Sequence, residues 1–187
     1  MLQRQAPVLG AYAKGAQADF LQNGNPVWIP KSDYEKWAAE VIDTDKYREV
    51  VDKYGEAPGD YLSGEHDGEP SIAISCLRFG NVALFPQPHA AEGDNDFQIV
   101  HGANIAPPHA YIAPYLWAQK GFKADALIHF GTHGSLEFTP GKQTGLSKKD
   151  WSDCLIGSLP HFYYYSIGNV GEGIIAKRRT HAALISY

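Results

Sequence analysis

The stretch ADALIHFGTHGSLEF, residues 124–138, joins a short apolar run to a glycine-rich turn and a glutamate. A continuous apolar run of this length, bounded by glycine, is typical of a strand buried in a parallel sheet. Within and after the run, His129, His133 and Glu137 recur at four-residue spacing. Two imidazoles and a carboxylate in this setting are open to three interpretations: a zinc hydrolase, a buried structural cluster, or a site that handles a metal ion without retaining it.

The zinc protease interpretation fails on the residues that surround the first histidine. In that motif both histidines lie on one face of a continuous helix, and a glutamate directly follows the first of them. Phe130 stands at that position instead, and Gly131 and Gly134 interrupt any helix.

Strands and helices alternate on both sides of this stretch. The alternation predicts crossover connections and a mostly parallel α/β sheet with flanking helices. The predicted strands are SIAISCLRF (71–79), VALFPQP (82–88), ADALIHFG (124–131) and HFYYYSIG (161–168). The predicted helices are PPHAYIAPYLWAQKG (107–121), SKKDWSDCLIG (147–157) with Ser147 as its cap, and one that starts near Gly171 in GEGIIAKRRTHAALISY (171–187).

The beginning of the chain has a different pattern, which predicts helices and loops. Ser32 and Glu35 form a capping-box pattern that opens a helix through Val41. A second helix follows Thr44, and YLSGEHDGEP (61–70) is interpreted as a loop.

The chain has 187 residues, of which 44% are hydrophobic, and this suits one domain or part of a larger protein. We expect a short helical and irregular segment at residues 1–70, followed by an α/β segment at residues 71–187. The apolar helical pattern that reaches Tyr187 predicts a fragment of a longer chain, truncated at its C-terminal end.

Composition argues against two classes of protein. No apolar run approaches the roughly 18 residues of a membrane span. The formal net charge of -5 argues against a nucleic-acid-binding domain, which is usually basic. Cys76 and Cys154 are far apart and form no metal or redox motif, which favours a reduced, cytoplasmic setting.

The predicted sheet locates a candidate site. In open α/β sheets, ligands bind beyond the carboxyl ends of the strands. The strand at 124–130 leads to His133 and Glu137, and the strand at 161–167 leads to Asn169 and Glu172. If the two strands are parallel neighbours, both turns face one crevice.

The individual residues point to different roles. His129, inside the strand, is more typical of a hydrogen-bonded core histidine than of a ligand. For His133, in the turn, a functional role and a turn-stabilising role are equally open. Glu137 lies between two apolar residues, where a carboxylate is costly unless it has a partner. This favours a functional role for Glu137, with a raised pKa.

Other polar and aromatic residues have simpler interpretations. His109 is predicted in the first turn of a helix, facing either solvent or the crevice. The basic run 177–179 is typical of a solvated helix face, from which at most two side chains reach one anion. The tyrosines 163–165 are typical of core and edge packing.

Three long motifs resemble the large subunit of the ATP-dependent cobalt and magnesium chelatases. They are APPHAYIAPYLW (106–117), HFGTHGSLEFTPGKQTGLS (129–147) and WSDCLIGSLPHFYYYSIGNVGEGIIAKRRTHAALISY (151–187). The resemblance covers about Asn81 to Tyr187. GEG followed by AKRRTHA is similar to the cobalt branch, whereas the magnesium branch typically has N-P-S-E before AKRR. PQPHAAEGDNDFQ (86–98) departs from the cobalt pattern.

The resemblance implies a subunit that binds a tetrapyrrole and the incoming metal, while two AAA+-type partner subunits hydrolyse ATP. The cobalt branch inserts Co²⁺ into a corrin-ring precursor of the hydrogenobyrinic acid a,c-diamide type, in cobalamin biosynthesis. The alternatives are Mg²⁺ insertion into protoporphyrin IX, or a tetrapyrrole-binding module without catalysis.

The resemblance also suggests roles for residues. Glu137 and His133 are the expected catalytic pair, since a carboxylate can accept pyrrolic protons and a neutral imidazole suits Co²⁺. The candidate metal ligands are His129, His133 and Glu137. The residues expected to bind substrate are His109, Asn169, Glu172, Arg178 and Arg179.

Overall fold

The structure, a computed structural model, describes residues 16–87, 105–131, 134–165 and 170–185. Its helices are α1 (Ala16–Asn23), α2 (Lys31–Val41), α3 (Thr44–Tyr54), α4 (His109–Leu116), α5 (Trp151–Ile156) and α6 (Val170–Arg179), with a π-helical turn at Trp117–Gly121 and a 3₁₀ turn at Leu136–Phe138. Its strands are β1 (Val27–Pro30), β2 (Ser63–His66), β3 (Glu69–Ile74), β4 (Leu77–Phe79), β5 (Val82–Leu84), β6 (Leu127–Gly131), β7 (His161–Tyr165) and β8 (Ala183–Ile185).

A parallel three-stranded sheet, in the order β6-β7-β8, carries the second half of the fold. Leu127 pairs with His161 and Gly131 with Tyr165, so β6 and β7 run side by side in the same direction. This confirms the predicted α/β fold with a parallel sheet and flanking helices. The carboxyl ends of β6 and β7 therefore lie at one edge of the sheet.

The third strand of this sheet corrects the helix predicted to reach residue 187. Helix α6 ends at Arg179, and the Thr180 side chain donates a hydrogen bond back to the carbonyl of Ala176 at 2.7 Å. His181 then adopts a left-handed conformation with φ of 52°, which turns the chain out of the helix. Residues 183–185 pair with β7 because its edge is open there.

An antiparallel sheet in the order β1-β3-β2 forms the first half. The prediction of a loop at residues 61–70 is wrong, because Ser63–His66 and Glu69–Ile74 form a hairpin. Its turn residues, Asp67 and Gly68, have φ of 51° and 79°. Asp-Gly favours such two-residue hairpin turns, so the signal was present in the sequence. A smaller antiparallel pair, β4 and β5, turns at Gly80.

Two predicted helix caps are also corrected. Helix α2 begins at Lys31, so Ser32 lies inside its first turn, and the Ser32 backbone N–H donates to the Glu69 carboxylate at 2.9 Å. Helix α5 begins at Trp151 with Asp150 in the cap position, and Ser147 instead donates its backbone N–H to Asp150 at 2.8 Å.

One hydrophobic core joins both halves. Every residue of α4 is buried, because this helix packs between α2, β3 and α5. Strand β3 runs across residue 70, and buried residues before and after it share the same cluster. The division into segments 1–70 and 71–187 stays a prediction. In the described ranges, no helix is long and apolar enough to cross a membrane.

Candidate functional site

Glu137 occupies the centre of the candidate site. It lies in the 3₁₀ turn that follows β6, and its side chain is fully buried. The Tyr163 hydroxyl, from the middle of β7, donates a hydrogen bond to Glu137 Oε1 at 2.5 Å. The other carboxyl oxygen, Oε2, has no hydrogen-bond partner among the residues that the structure describes.

Gly134 forms the wall against which the carboxyl group packs. A Cβ atom at position 134 would lie 2.6 Å from Oε2 and 2.7 Å from Oε1 of Glu137. Such distances are far inside van der Waals contact, so only glycine leaves room for the carboxyl group in this position. Gly134, which argued against the continuous helix of a zinc protease, therefore also shapes the site.

The surroundings of Glu137 raise its pKa. Burial is the main cause, and the negative charge of Glu172 adds to it. The hydrogen bond from Tyr163 and the positive charge of Arg179 act in the opposite direction, with a smaller combined effect. Burial and the neighbouring Glu137 also raise the pKa of Tyr163, so this tyrosine stays protonated and acts as a donor. A carboxyl group with a raised pKa is suited to proton transfer near neutral pH.

Arg179 fixes the backbone around Glu137. Its guanidinium is buried, with 3% of the residue exposed. Nη1 donates to the Glu137 carbonyl at 2.6 Å, and Nε donates to the Lys142 carbonyl at 3.0 Å. The basic run 177–179 was expected to form a solvated helix face. Lys177 and Arg178 are exposed, but the expectation is wrong for Arg179.

Two buried histidines lie on the same face of the sheet as Tyr163. The rings of His129 and His161 meet edge to face, with centroids 4.8 Å apart. His161 Nδ1 donates to the Thr180 carbonyl at 3.1 Å, which leaves Nε2 as the acceptor nitrogen. Burial lowers the pKa of His129 to about 3, with a further contribution from His161, so His129 is neutral.

His129 and His161 each keep a nitrogen without a partner in the described part of the chain. These atoms are His129 Nδ1 and His161 Nε2. His129 was expected to be a hydrogen-bonded core histidine. It is buried, but its Nδ1 has no hydrogen-bond partner among the described residues. Neutral imidazoles with a free nitrogen can bind a divalent ion. In the ranges that the structure covers, no group of three or more His, Cys, Asp or Glu side chains is arranged to hold a metal.

His109 lies in a different environment. It is buried rather than exposed to solvent, and both of its ring nitrogens have partners. Nδ1 shares a hydrogen bond with the Tyr34 hydroxyl at 3.0 Å, and Nε2 lies 3.0 Å from the Gly55 carbonyl. His109 also lines a cavity of about 170 Å³ together with Lys53 and residues 58–61. These contacts support a structural role, and its assignment to substrate binding stays a prediction.

The remaining predicted site residues are placed only in part. His133 and Asn169 lie outside the described residues. Glu172 lies in the first turn of α6, close enough for its charge to raise the pKa of Glu137. Arg178 is exposed on the same helix. The structure thus brings Glu137, Glu172 and Arg179 together.

Sequence reasoning missed two residues of this site, Tyr163 and His161. Both lie on alternate positions of β7, on its buried face. A histidine and a tyrosine two residues apart in a buried strand lie on the same face. They could have indicated polar partners on that face, because buried polar groups need hydrogen-bond partners.

A sequence profile of the CobN/Magnesium Chelatase family matches residues 6–187. The chain belongs to this family. An uncharacterised protein of Methanocaldococcus jannaschii is 40% identical over 159 residues, which cover 85% of this chain and 12% of that protein. The magnesium-chelatase subunit ChlH of Oryza sativa subsp. indica is 40% identical over 138 residues, which cover 74% of this chain and 10% of that protein.

A cobaltochelatase subunit has a similar sequence identity to the chain. The aerobic cobaltochelatase subunit CobN of Pseudomonas aeruginosa is 38% identical over 138 residues, which cover 74% of this chain and 11% of that protein. The chain therefore spans 10 to 12% of the length of these curated relatives.

A solved structure has the same fold as the chain. The catalytic subunit of cobaltochelatase from Mycobacterium tuberculosis superimposes with a TM-score of 0.77 at 31% sequence identity. The match covers 100% of this chain and 17% of that protein. The fold of this family member is thus that of one segment of a chelatase large subunit.

Proposed function

We propose that this chain is the part of a chelatase large subunit that accepts protons and handles the metal ion during insertion into a tetrapyrrole. One observation carries the proposal: Glu137 is a fully buried carboxyl group with one oxygen held by Tyr163 and the other without a partner in the described residues. A half-satisfied buried carboxyl group costs stability, so its presence supports a chemical role.

The chemistry of insertion requires what these side chains offer. Pyrrolic N–H protons must leave the ring, and water must leave the metal ion. Because burial raises the pKa of Glu137, its carboxylate binds a proton more readily than an exposed one does. His129, His133 and Glu137 are the proposed ligands for the incoming ion, since neutral imidazole suits Co²⁺. A closed cage of the structural zinc type would retain the ion and prevent its delivery.

The substrate-binding residues are proposed from the same site. Arg178 is exposed and can pair with peripheral carboxylates of the macrocycle in bidentate geometry. Arg179 is the weaker of the two arginines for this role, because its guanidinium already donates to two carbonyls. Asn169 and Glu172 are the proposed contacts at the end of β7.

Cobalt is the proposed metal, and a corrin-ring precursor is the proposed substrate. The support is the GEG–AKRRTHA sequence at 171–182, which is similar to the cobalt branch. The proposed location of the protein is the cytoplasm. Two AAA+-type partner subunits are proposed to hydrolyse ATP. Consistent with this, residues 140–143 (PGKQ) lack both the leading glycine and the hydroxyl residue of a G-x4-G-K-[ST] phosphate loop.

Magnesium insertion into protoporphyrin IX is the second candidate. Its support is that magnesium-chelatase subunits are as similar to the chain as a cobaltochelatase subunit is: the ChlH subunit of Oryza sativa is 40% identical and the CobN subunit of Pseudomonas aeruginosa is 38% identical. Titration of the intact subunit with a corrin precursor and with protoporphyrin, followed by absorbance, decides which of the two tetrapyrroles the subunit binds.

The catalytic role is tested by metal insertion in the intact subunit together with its ATPase partners. Glu137→Gln keeps the size and polarity of the side chain but removes the base, so the insertion rate should fall about a hundredfold. Tetrapyrrole binding should stay close to that of the wild type. Glu65→Gln, at an exposed position of β2, is the matched control and should leave insertion unchanged.

Two outcomes would contradict the proposal. If Glu137→Gln lowers the melting temperature and loses tetrapyrrole binding in parallel, the residue is a structural acid. If the wild-type assembly binds a tetrapyrrole but inserts neither Co²⁺ nor Mg²⁺, the chain belongs to a binding module without catalysis.

A further inference from the structure

We propose that Tyr163 is a positioning residue that holds Oε1 of Glu137, so that Oε2 is the carboxyl oxygen presented to the reacting partner. The inference rests on the proposed role of Glu137 as the proton acceptor. It adds a residue that acts through Glu137 and does not itself touch the substrate.

The hydrogen bond from Tyr163 makes the two carboxyl oxygens different. The hydroxyl donates to Oε1 at 2.5 Å, whereas Oε2 has no partner in the described ranges. A short bond from a hydroxyl to a carboxylate is among the stronger hydrogen bonds in proteins. The carboxyl group is thereby held in one orientation, which fixes the direction of Oε2.

Tyr163 is itself rigid. It lies in the central strand of the parallel sheet, and only 4% of the residue is exposed. Its ring stacks on that of Tyr165, with centroids 4.0 Å apart and planes inclined by 23°. The strand register places it beside His129 on the same face of the sheet. A donor on such an element keeps its direction, as pre-organised sites require.

The backbone of Glu137 is held by a second residue. Arg179 donates to the Glu137 carbonyl at 2.6 Å, and Gly134 closes the space beside the carboxyl group. The backbone is anchored and one side of the carboxyl group is blocked, so the hydrogen bond from Tyr163 restricts the rotation of the carboxyl group that remains. Loss of the hydroxyl therefore releases the orientation of the carboxyl group while the packing of the ring stays.

A double-mutant cycle in the intact subunit with its ATPase partners tests this inference. The variants are Tyr163→Phe, Glu137→Gln and the double variant, each measured for kcat and for the KM of the metal and the tetrapyrrole. Tyr163→Phe should lower kcat about tenfold to a hundredfold, the scale of a misplaced catalytic group, with both KM values unchanged. The double variant should be no slower than Glu137→Gln, because Tyr163 acts only through Glu137.

Tyr164→Phe is the matched control. Tyr164 is the next residue of β7 but faces the opposite side of the sheet, where 41% of it is exposed, and its ring stacks on Phe130. Removal of its hydroxyl should leave kcat unchanged. A merely structural role for Tyr163 would instead reduce kcat in the Glu137→Gln background as strongly as in the wild type.

The outcomes separate this inference from the proposed function. Wild-type kcat in Tyr163→Phe, or independent effects of the two substitutions, overturns the positioning role while Glu137 remains the base. Wild-type insertion by Glu137→Gln overturns the proposed function itself. If Tyr163→Phe does not fold, 3-fluorotyrosine at position 163 keeps the ring and hydroxyl and changes the donor strength. An altered kcat is then expected, and an unchanged kcat would refute the inference.

Discussion

Gly134→Ala is a sharp test of the packing around Glu137, because it adds a single methyl group at the wall of the site. Gly134 does not adopt a left-handed φ, so alanine introduces no backbone strain of that kind. Its Cβ atom would lie 2.6 Å from Oε2, 2.7 Å from Oε1 and 3.0 Å from the carboxyl carbon of Glu137. The effect of the substitution is therefore steric and directed at the carboxyl group.

The contact distances set the expected magnitude. The carboxyl group must retreat by about 0.8 Å to reach ordinary van der Waals contact. Glu137 has little room to do so, since Tyr163 holds Oε1 and Arg179 holds the backbone carbonyl. We expect a loss of stability of about 1–3 kcal/mol, as is usual for overpacking. We also expect metal insertion to fall about a hundredfold, the scale of a 1 Å misplacement.

Gly131→Ala provides the matched control. Gly131 ends β6, the strand that precedes Gly134, and among the described residues a Cβ atom at Gly131 would meet only Tyr165 Cε1, at 3.7 Å. Both variants should be compared in the intact subunit by metal insertion and by thermal denaturation. Equal insertion rates for Gly134→Ala and Gly131→Ala would refute the view that the carboxyl group is confined by this wall.

Three further predictions concern His133, Arg179 and His109. His133→Ala should raise the metal concentration needed for half-maximal insertion and leave the maximal rate nearly intact, because it removes a proposed ligand and not the base; a reduced rate at saturating metal would contradict this. Arg179→Met should lower the melting temperature, since the Glu137 and Lys142 carbonyls lose their donors at a cost of about 1–3 kcal/mol each, whereas Lys177→Ala, at an exposed position of the same helix, should be neutral. Burial lowers the pKa of His109 in the folded state, so the unfolded chain binds a proton that folded His109 does not, and the free energy of unfolding should decrease as the pH falls below about 6.5. His109→Gln should weaken this dependence in denaturation measured from pH 8 to pH 5, and an unchanged dependence would contradict the prediction.

Local patterns of the sequence were sufficient for the parallel sheet and for Glu137. The apolar runs at 124–131 and 161–168, each of which ends in glycine, predicted neighbouring parallel strands joined by a crossover, and the pairing of Leu127 with His161 confirms this prediction. A carboxylate between Leu136 and Phe138 predicted an unusual environment, and the side chain is indeed fully buried. The formation of each strand and the apolar flanks of Glu137 depend on neighbours in the chain, which is why the sequence contains both signals.

Other elements were misjudged because their local signals were ambiguous. Residues 183–185 continue an apolar helical pattern, yet they form a strand because the edge of β7 offers backbone partners. Arg179 belongs to a run of three basic residues that resembles a solvated helix face, but the rotation of α6 points its side chain into the core, where two carbonyls accept its hydrogen bonds.

The assembly of the site was decided by the tertiary structure. Tyr163 and Glu137 are 26 residues apart, and their hydrogen bond exists because β7 lies beside β6 in one particular register. A shift of that register by one residue would turn Tyr163 to the opposite face of the sheet. The sequence by itself predicted which residues carry the chemistry and placed them near strand ends. Only the packing of α6 and the 3₁₀ turn against the sheet decided which oxygen of Glu137 is held by Tyr163, which one has no partner among the described residues, and how far burial raises the pKa of Glu137.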